Sequence, residues 1–131
     1  MSGGTIVVGI VIALFAGVVF QQYLFVRRAL AMEGKAVPTL PGVVGRSIAA
    51  RKTALVYFFS PQCGACRAIT PRVRAMAAKN PSVFAVDVTS DLALARALGV
   101  MATPSTVELR DGTIAGYHVG PIPPHVMERF A

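Results

Sequence analysis

With 131 residues, 54% hydrophobic content and a mean hydropathy of +0.61, the chain has room for one small domain and carries more apolar surface than such a domain needs. Its net charge of +7 comes from 13 basic and 6 acidic side chains, all of them after residue 26; they are scattered, without a basic cluster or interleaved aromatics, which excludes a nucleic-acid-binding reading. Two cysteines are too few for a disulfide-stapled secreted scaffold, and with only His118 and His125 as further soft ligands no metal site is expected.

Residues 5–26 are uncharged, and only Gln21 and Gln22 are strongly polar. As a helix rising about 1.5 Å per residue, this run reaches roughly 33 Å, enough to cross a hydrocarbon core of about 30 Å. Arg27 and Arg28 end it, and Tyr23 lies close to that end, where an amphipathic ring suits the lipid–water boundary. Ala29-Leu30-Ala31 has the small-x-small form of a signal-peptide cleavage site. Against cleavage, residues 1–4 lack a basic side chain and two arginines precede that site, so an uncleaved transmembrane anchor in contact with lipid is expected. Gly9, Ala13 and Gly17 recur every four residues and give one helix face small side chains, suited to packing against another transmembrane helix. Arg27, Arg28 and Lys35 stand on the C-terminal side of the span, so the charge count places the remainder of the chain in the cytoplasm.

Residues 29–42, with Gly34, Pro38, Pro41 and Gly42, read as a partly extended linker between an anchor over residues 1–28 and a domain over residues 43–131. Residues 43–52 are expected to add a strand and a helical turn. Residues 54–59 are apolar and β-prone, as in a strand covered on both faces. Ser60-Pro61-Gln62 breaks the strand. A helix is expected over residues 63–79, with Ile69, Val73, Met76 and Ala77 on one side and a kink at Pro71. A second strand is expected over residues 83–88, then a helix over residues 91–98 with Ser90 as N-cap and Gly99 beyond its end. Strands over residues 105–109 and 114–119 flank the hairpin signal Asp111-Gly112, and Pro123 and Pro124 open a short closing helix. The order predicts an α/β fold: a central sheet of mixed direction with flanking helices, preceded by one N-terminal transmembrane helix.

Cys63 and Cys66 stand two residues apart at the start of a helix, a spacing that lets the sulfurs bond within one turn. There Cys63 lies at the positive end of the helix dipole, which stabilises a thiolate, and is the candidate attacking residue; Cys66, one turn further in, is the candidate resolving residue. The competing readings are a small structural bridge, which closes too short a loop to stabilise much, and two unrelated core cysteines. Thr103-Pro104 before a strand is a candidate cis peptide, an uncommon bond that reverses the chain sharply.

Taken together, Cys63-Gly64-Ala65-Cys66, Pro71, Val86-Asp87-Val88, Thr103-Pro104 and Asp111-Gly112 resemble the thioredoxin superfamily over about residues 53–119. The resemblance implies a thioredoxin-like fold and a thiol–disulfide oxidoreductase without a bound cofactor, its redox-active group being the Cys63–Cys66 disulfide. It implies a protein disulfide or dithiol as substrate, held at a surface formed by Gln62, Ala65, Thr103 and Pro104, and an unidentified redox partner that renews the disulfide. Many tethered proteins of this kind face the periplasm, which is the alternative to the cytoplasmic placement. The chain departs from the family pattern at Gln62, where tryptophan is usual, at Ala65, where proline is usual, and in its short last helix. At Tyr57 the family has a buried acid that helps deprotonate the resolving cysteine, and tyrosine is a poor base near neutral pH. The competing function is an accessory, non-turnover subunit of a larger membrane complex, docked through its helix.

Overall fold

The computed structural model describes residues 2–131, and the side chains of Ala29 and Leu30, part of the candidate cleavage sequence, lie outside the described residues. The chain opens with α1 (Gly3–Ala31), whose apolar stretch Gly3–Arg28 contains an 18-residue window with a mean hydropathy of 2.5 and none of that window buried against the rest of the protein. It is long and apolar enough to cross a membrane. Then come α2 (Gly42–Ala49), β1 (Thr53–Phe59), α3 (Cys66–Lys79), β2 (Val83–Asp87), α4 (Leu92–Ala97), β3 (Ser105–Arg110), β4 (Thr113–Val119) and α5 (Pro124–Phe130).

The strands form one mixed sheet in the order β2-β1-β3-β4: β1 runs parallel to β2 and antiparallel to β3, and β3 antiparallel to β4. Because alternate side chains of a strand point to opposite faces, β1 feeds two cores. Ala54, Val56 and Phe58 join Val107, Ile114 and Leu94 on one face; Leu55, Tyr57 and Phe59 join Cys66, Val73 and Val126 on the other. That double burial is why β1 is apolar without alternation. The β3–β4 hairpin turns at Asp111 and Gly112 with φ of 50° and 75°, the left-handed pair that a two-residue hairpin loop requires.

Several boundaries differ from the sequence expectation. The helix expected from Cys63 begins at Cys66, because the turn after β1 (Cys63 N–H to Ser60 O, 3.1 Å) delays it. It continues through Pro71, whose nitrogen offers no hydrogen to the Arg67 carbonyl. The N-cap of α4 is Asp91, not Ser90: the Asp91 carboxylate accepts the Leu94 N–H at 3.2 Å. Residues 43–52 supply α2 and no strand of their own. The segment expected as a linker does not stand free. Gly34 N–H donates to Ile114 O at 2.8 Å, Ile114 N–H to Lys35 O at 2.9 Å and Val37 N–H to Gly112 O at 2.9 Å, so residues 34–37 lie along the outer edge of β4.

Candidate redox site

Cys63 and Cys66 are joined by a disulfide, with their Cα atoms 5.3 Å apart. Strand β1 delivers the chain to this point and α3 carries it away. Between them the Ser60 hydroxyl donates to Gln62 Oε1 at 3.0 Å and accepts the Gln62 N–H at 3.3 Å, closing a tight loop. Cys66 is buried at the first residue of α3, packed with Tyr57, Phe59 and Val73; Cys63, just outside the helix, is partly exposed. Ala65, at the cap position, has no side-chain acceptor, and the Cys66 N–H donates instead to Sγ of Cys63 at 3.3 Å. When the disulfide opens, the same N–H and the free end of the helix stabilise negative charge on the Cys63 sulfur.

A cleft of about 360 Å³ opens beside the disulfide, lined by both cysteines together with Arg67, Thr70, Arg74 and Asp87. The Asp87 carboxylate accepts hydrogen bonds from the Thr89 hydroxyl at 2.6 Å and the Thr89 N–H at 2.9 Å, which hold it below the usual carboxylate range. Arg74 lies over the Phe59 ring, 5.1 Å from its centroid.

Tyr57 is fully buried behind the disulfide, and its hydroxyl shares a 2.9 Å hydrogen bond with the Thr70 hydroxyl. Burial pushes its pKa up; the Thr70 hydrogen bond and the nearby Arg74 charge oppose the shift without reversing it. A neutral phenol hydrogen-bonded to a hydroxyl therefore stands where the family places a carboxylate. Thr70 was not singled out from sequence, although its place four residues after Cys66 puts both on the same helix face. Thr106, paired with Tyr57 across β1 and β3, is buried with its hydroxyl unpartnered.

The Thr103–Pro104 peptide is cis. The loop is fixed from both sides: the Ser105 hydroxyl donates to Ala102 O at 2.6 Å and the Gly120 N–H to Pro104 O at 2.8 Å. A groove of about 270 Å³ joins Thr103 to Ser60 of the cysteine loop, with Leu92 and Met101 on its walls. Gln62 and Ala65 are exposed beside the cysteines. Gly9, Ala13 and Gly17 lie apart from this region, exposed on α1; beyond the backbone of their own helix turns, nothing among the described residues comes within 4 Å of a Cβ built at Gly9 or Gly17. Sequence reasoning also missed a buried carboxylate on β3 with partners from β4 and α5: Glu108 accepts from the exposed Arg129 Nη2 at 2.6 Å and contacts the partly exposed His118 Nε2 at 2.9 Å, seated over Gly116 where a side chain would collide with it. Among the described residues no group of three or more potential metal ligands occurs.

The thioredoxin family's sequence profile matches residues 45–131. Over 80 residues the chain is 34% identical to a disulfide bond formation protein of Brevibacillus choshinensis, covering 58% of this chain and 68% of that protein. Over 37 residues it is 49% identical to a chloroplastic thioredoxin-like 1-1 protein of Oryza sativa subsp. japonica, covering 28% of this chain and only 13% of that longer protein. Among solved structures it resembles a Fasciola hepatica thioredoxin, with a TM-score of 0.51 and 32% identity over 60% of this chain and 78% of the other.

Proposed function

This chain belongs to the thioredoxin family, and we propose that it is a membrane-anchored thiol–disulfide oxidoreductase that exchanges disulfides with protein substrates through Cys63 and Cys66. The observation that carries this reading is the disulfide at the strand–helix junction, with one cysteine partly exposed and the other buried. The chemistry needs no bound cofactor. In the oxidising direction a substrate thiolate attacks Sγ of Cys63, the Cys63–Cys66 bond breaks, and its electron pair leaves on Cys66. A second substrate thiolate then attacks the substrate sulfur of the mixed disulfide and releases the Cys63 thiolate. The substrate loses two electrons and two protons, and the chain's two thiols take them up. Reduction of a substrate disulfide is the reverse, with Cys63 attacking and Cys66 resolving. Gln62, Ala65, Thr103 and Pro104 are assigned to the surface that receives the substrate chain.

The anchor, residues 1–28, is supported by the length and apolar character of α1, and its Gly9-Ala13-Gly17 face suits a second transmembrane helix. Residues 43–131 form the redox domain. The charge count favours the cytoplasmic side, where substrates would be reduced; on the periplasmic side either direction is open. Labelling reduced Cys63 in intact cells with a membrane-impermeant maleimide distinguishes the two, and reaction from outside reverses the cytoplasmic assignment.

The decisive experiment is Cys66→Ser in native membranes. An exchange enzyme accumulates a mixed disulfide through Cys63 that is lost in the Cys63→Ser, Cys66→Ser double variant; no adduct overturns the reading. One observation favours an accessory, non-turnover role: Tyr57 in place of the family's acid, its hydroxyl already bonded to Thr70. Insulin reduction by the purified full chain separates the two.

A further inference from the structure

Residues 29–42 read from sequence as a short, partly extended linker, and the contacts of residues 32–40 describe a different object. Helix α1 ends at Ala31. Two residues later the Glu33 carboxylate accepts the Tyr117 N–H of β4 at 3.0 Å. Gly34, Lys35 and Val37 come next, with backbone hydrogen bonds to Ile114 and Gly112. Met32 itself packs against the core, its methyl 3.3 Å from where a Cβ on Gly99 would stand, and Leu40 is buried in the same cluster. No run of unrestrained residues separates helix from sheet. Each residue adds only two soft dihedrals to a chain, so a connection fixed at both ends gives the domain little freedom to swing.

The last turns of α1 meet the domain directly. Phe25 and Arg28 line a crevice together with Met101, Ala102 and Tyr117. Gln21, Gln22, Phe25 and Val26 border a hollow of about 590 Å³ whose opposite wall is Ala102 and Val119. Ala102 immediately precedes the cis Thr103–Pro104 peptide. Tyr23, with the Arg27 guanidinium 5.7 Å from its ring centroid, marks the level of the lipid–water boundary on this same stretch of helix. On the anchored reading above, this places the loop assigned to the substrate chain at the depth of the membrane surface. Leu92, Met101 and Val119, all exposed, surround that loop with apolar side chains.

We propose that α1 and the segment on β4 form a fixed mount, which holds the Thr103–Pro104 loop at the bilayer surface. The substrates are then disulfides or dithiols in protein segments immediately next to a membrane span. This rests on the anchored-oxidoreductase reading above and uses the same exchange steps. A freely swinging domain would sample a broad shell above the membrane; a mounted one concentrates its site in a thin layer and leaves distant cysteines out of reach.

The test uses the full chain in liposomes, with single-span reporter peptides carrying one disulfide loop. The loop is set about three or about fifteen residues from the span, roughly 10 or 50 Å of extended chain. The near reporter is expected to exchange at least about tenfold faster, as a difference in effective concentration. Inserting about twelve Gly/Ser residues between Ala31 and Met32, a coil of roughly 20 Å, should bring the two rates together. Equal rates in the unmodified chain, or a preference that survives the insertion, overturns the mount. Two controls report on the underlying reading: flotation of the chain with the vesicles, and exchange of its disulfide with dithiothreitol. Failure of either overturns the anchor or the oxidoreductase, and the mount with it. Normal flotation and dithiothreitol exchange with a flat distance profile overturns the mount alone.

Discussion

Helix α1 and strand β1 are built from the same kinds of residues, and the rest of the chain treats them in opposite ways. In α1, Phe15, Phe20 and Val11 leave 71%, 61% and 58% of their surface exposed; in β1, Leu55, Val56 and Phe58 expose none. Composition does not separate the two, since α1 as far as Phe20 and β1 are both uncharged, largely apolar runs. What separates them is whether the chain supplies partners. Strand β1 has β2 and β3 at its sides, α3 and α5 over one face and the α2–α4 side over the other. Helix α1 has the domain only at its C-terminal end, so its apolar side chains need surroundings that the chain does not provide. At about 25 cal/mol per Å² that exposed surface is a strong drive toward lipid or another helix.

The contrast is broken most severely by trimming one aromatic from each run. Phe58→Ala should lower the stability of the domain by about 3–5 kcal/mol, read from denaturant unfolding of the full chain in detergent. Phe15→Ala should leave that transition within about 0.5 kcal/mol, because nothing in the domain packs on it. Equal effects would mean that α1 is part of the domain's core. Next in size, Val11→Arg puts a charge at mid-span and opposes insertion by about 2.5–3.5 kcal/mol. The chain should shift out of the carbonate-resistant membrane fraction while dithiothreitol exchange at Cys63 and Cys66 persists.

A third prediction concerns β4, where burial pushes the pKa of Tyr117 up to about 12. Its ordinary value is near 10. Between those values the unfolded chain releases the phenolic proton and the folded one keeps it, so the unfolded state binds fewer protons and stability falls as pH rises. The contribution is fully present below pH 10 and declines by at most about 1.4 kcal/mol per pH unit toward pH 12. Tyr117→Phe should flatten most of that slope, and a slope left intact would assign it elsewhere. The smallest effect is Tyr57→Phe, which removes a single hydroxyl pair with Thr70 and should cost about 1 kcal/mol. Its exchange rate in stopped-flow measurements should match the unmodified chain; a marked loss would make the Tyr57 hydroxyl a participant in proton transfer.

Features legible in the sequence are those encoded within a few residues. The unbroken apolar run of β1 announces burial on two faces, Asp111-Gly112 announces the hairpin, and the cysteine pair at the end of a strand announces the site. Boundaries were less legible where neighbours offer equivalent chemistry. Ser90 and Asp91 are both good caps, and only the fold selects the carboxylate; the turn at Ser60 moves the start of α3 from Cys63 to Cys66. Least legible were contacts between distant residues. Glu108 and Arg129 lie 21 residues apart, and neither shows from its neighbours that it has a partner. Residues 34–37 join β4 through backbone groups that every residue possesses, so their pairing leaves almost no trace in side-chain pattern.

That pairing has a consequence for coexistence with other copies. Strand β4 is the outer strand of its side of the sheet, and a bare outer strand offers a row of unsatisfied N–H and C=O groups to any extended chain nearby. Proteins confined to a membrane meet one another in two dimensions, with their exposed edges at similar height. Residues 34–37 pair with the hairpin turn at Gly112 and the start of β4 as far as Ile114, and leave less of that edge open to strand exchange between neighbours. On the anchored reading proposed above, the same few hydrogen bonds that tie residues 34–37 to β4 would also guard the chain against sheet-to-sheet aggregation in a crowded bilayer.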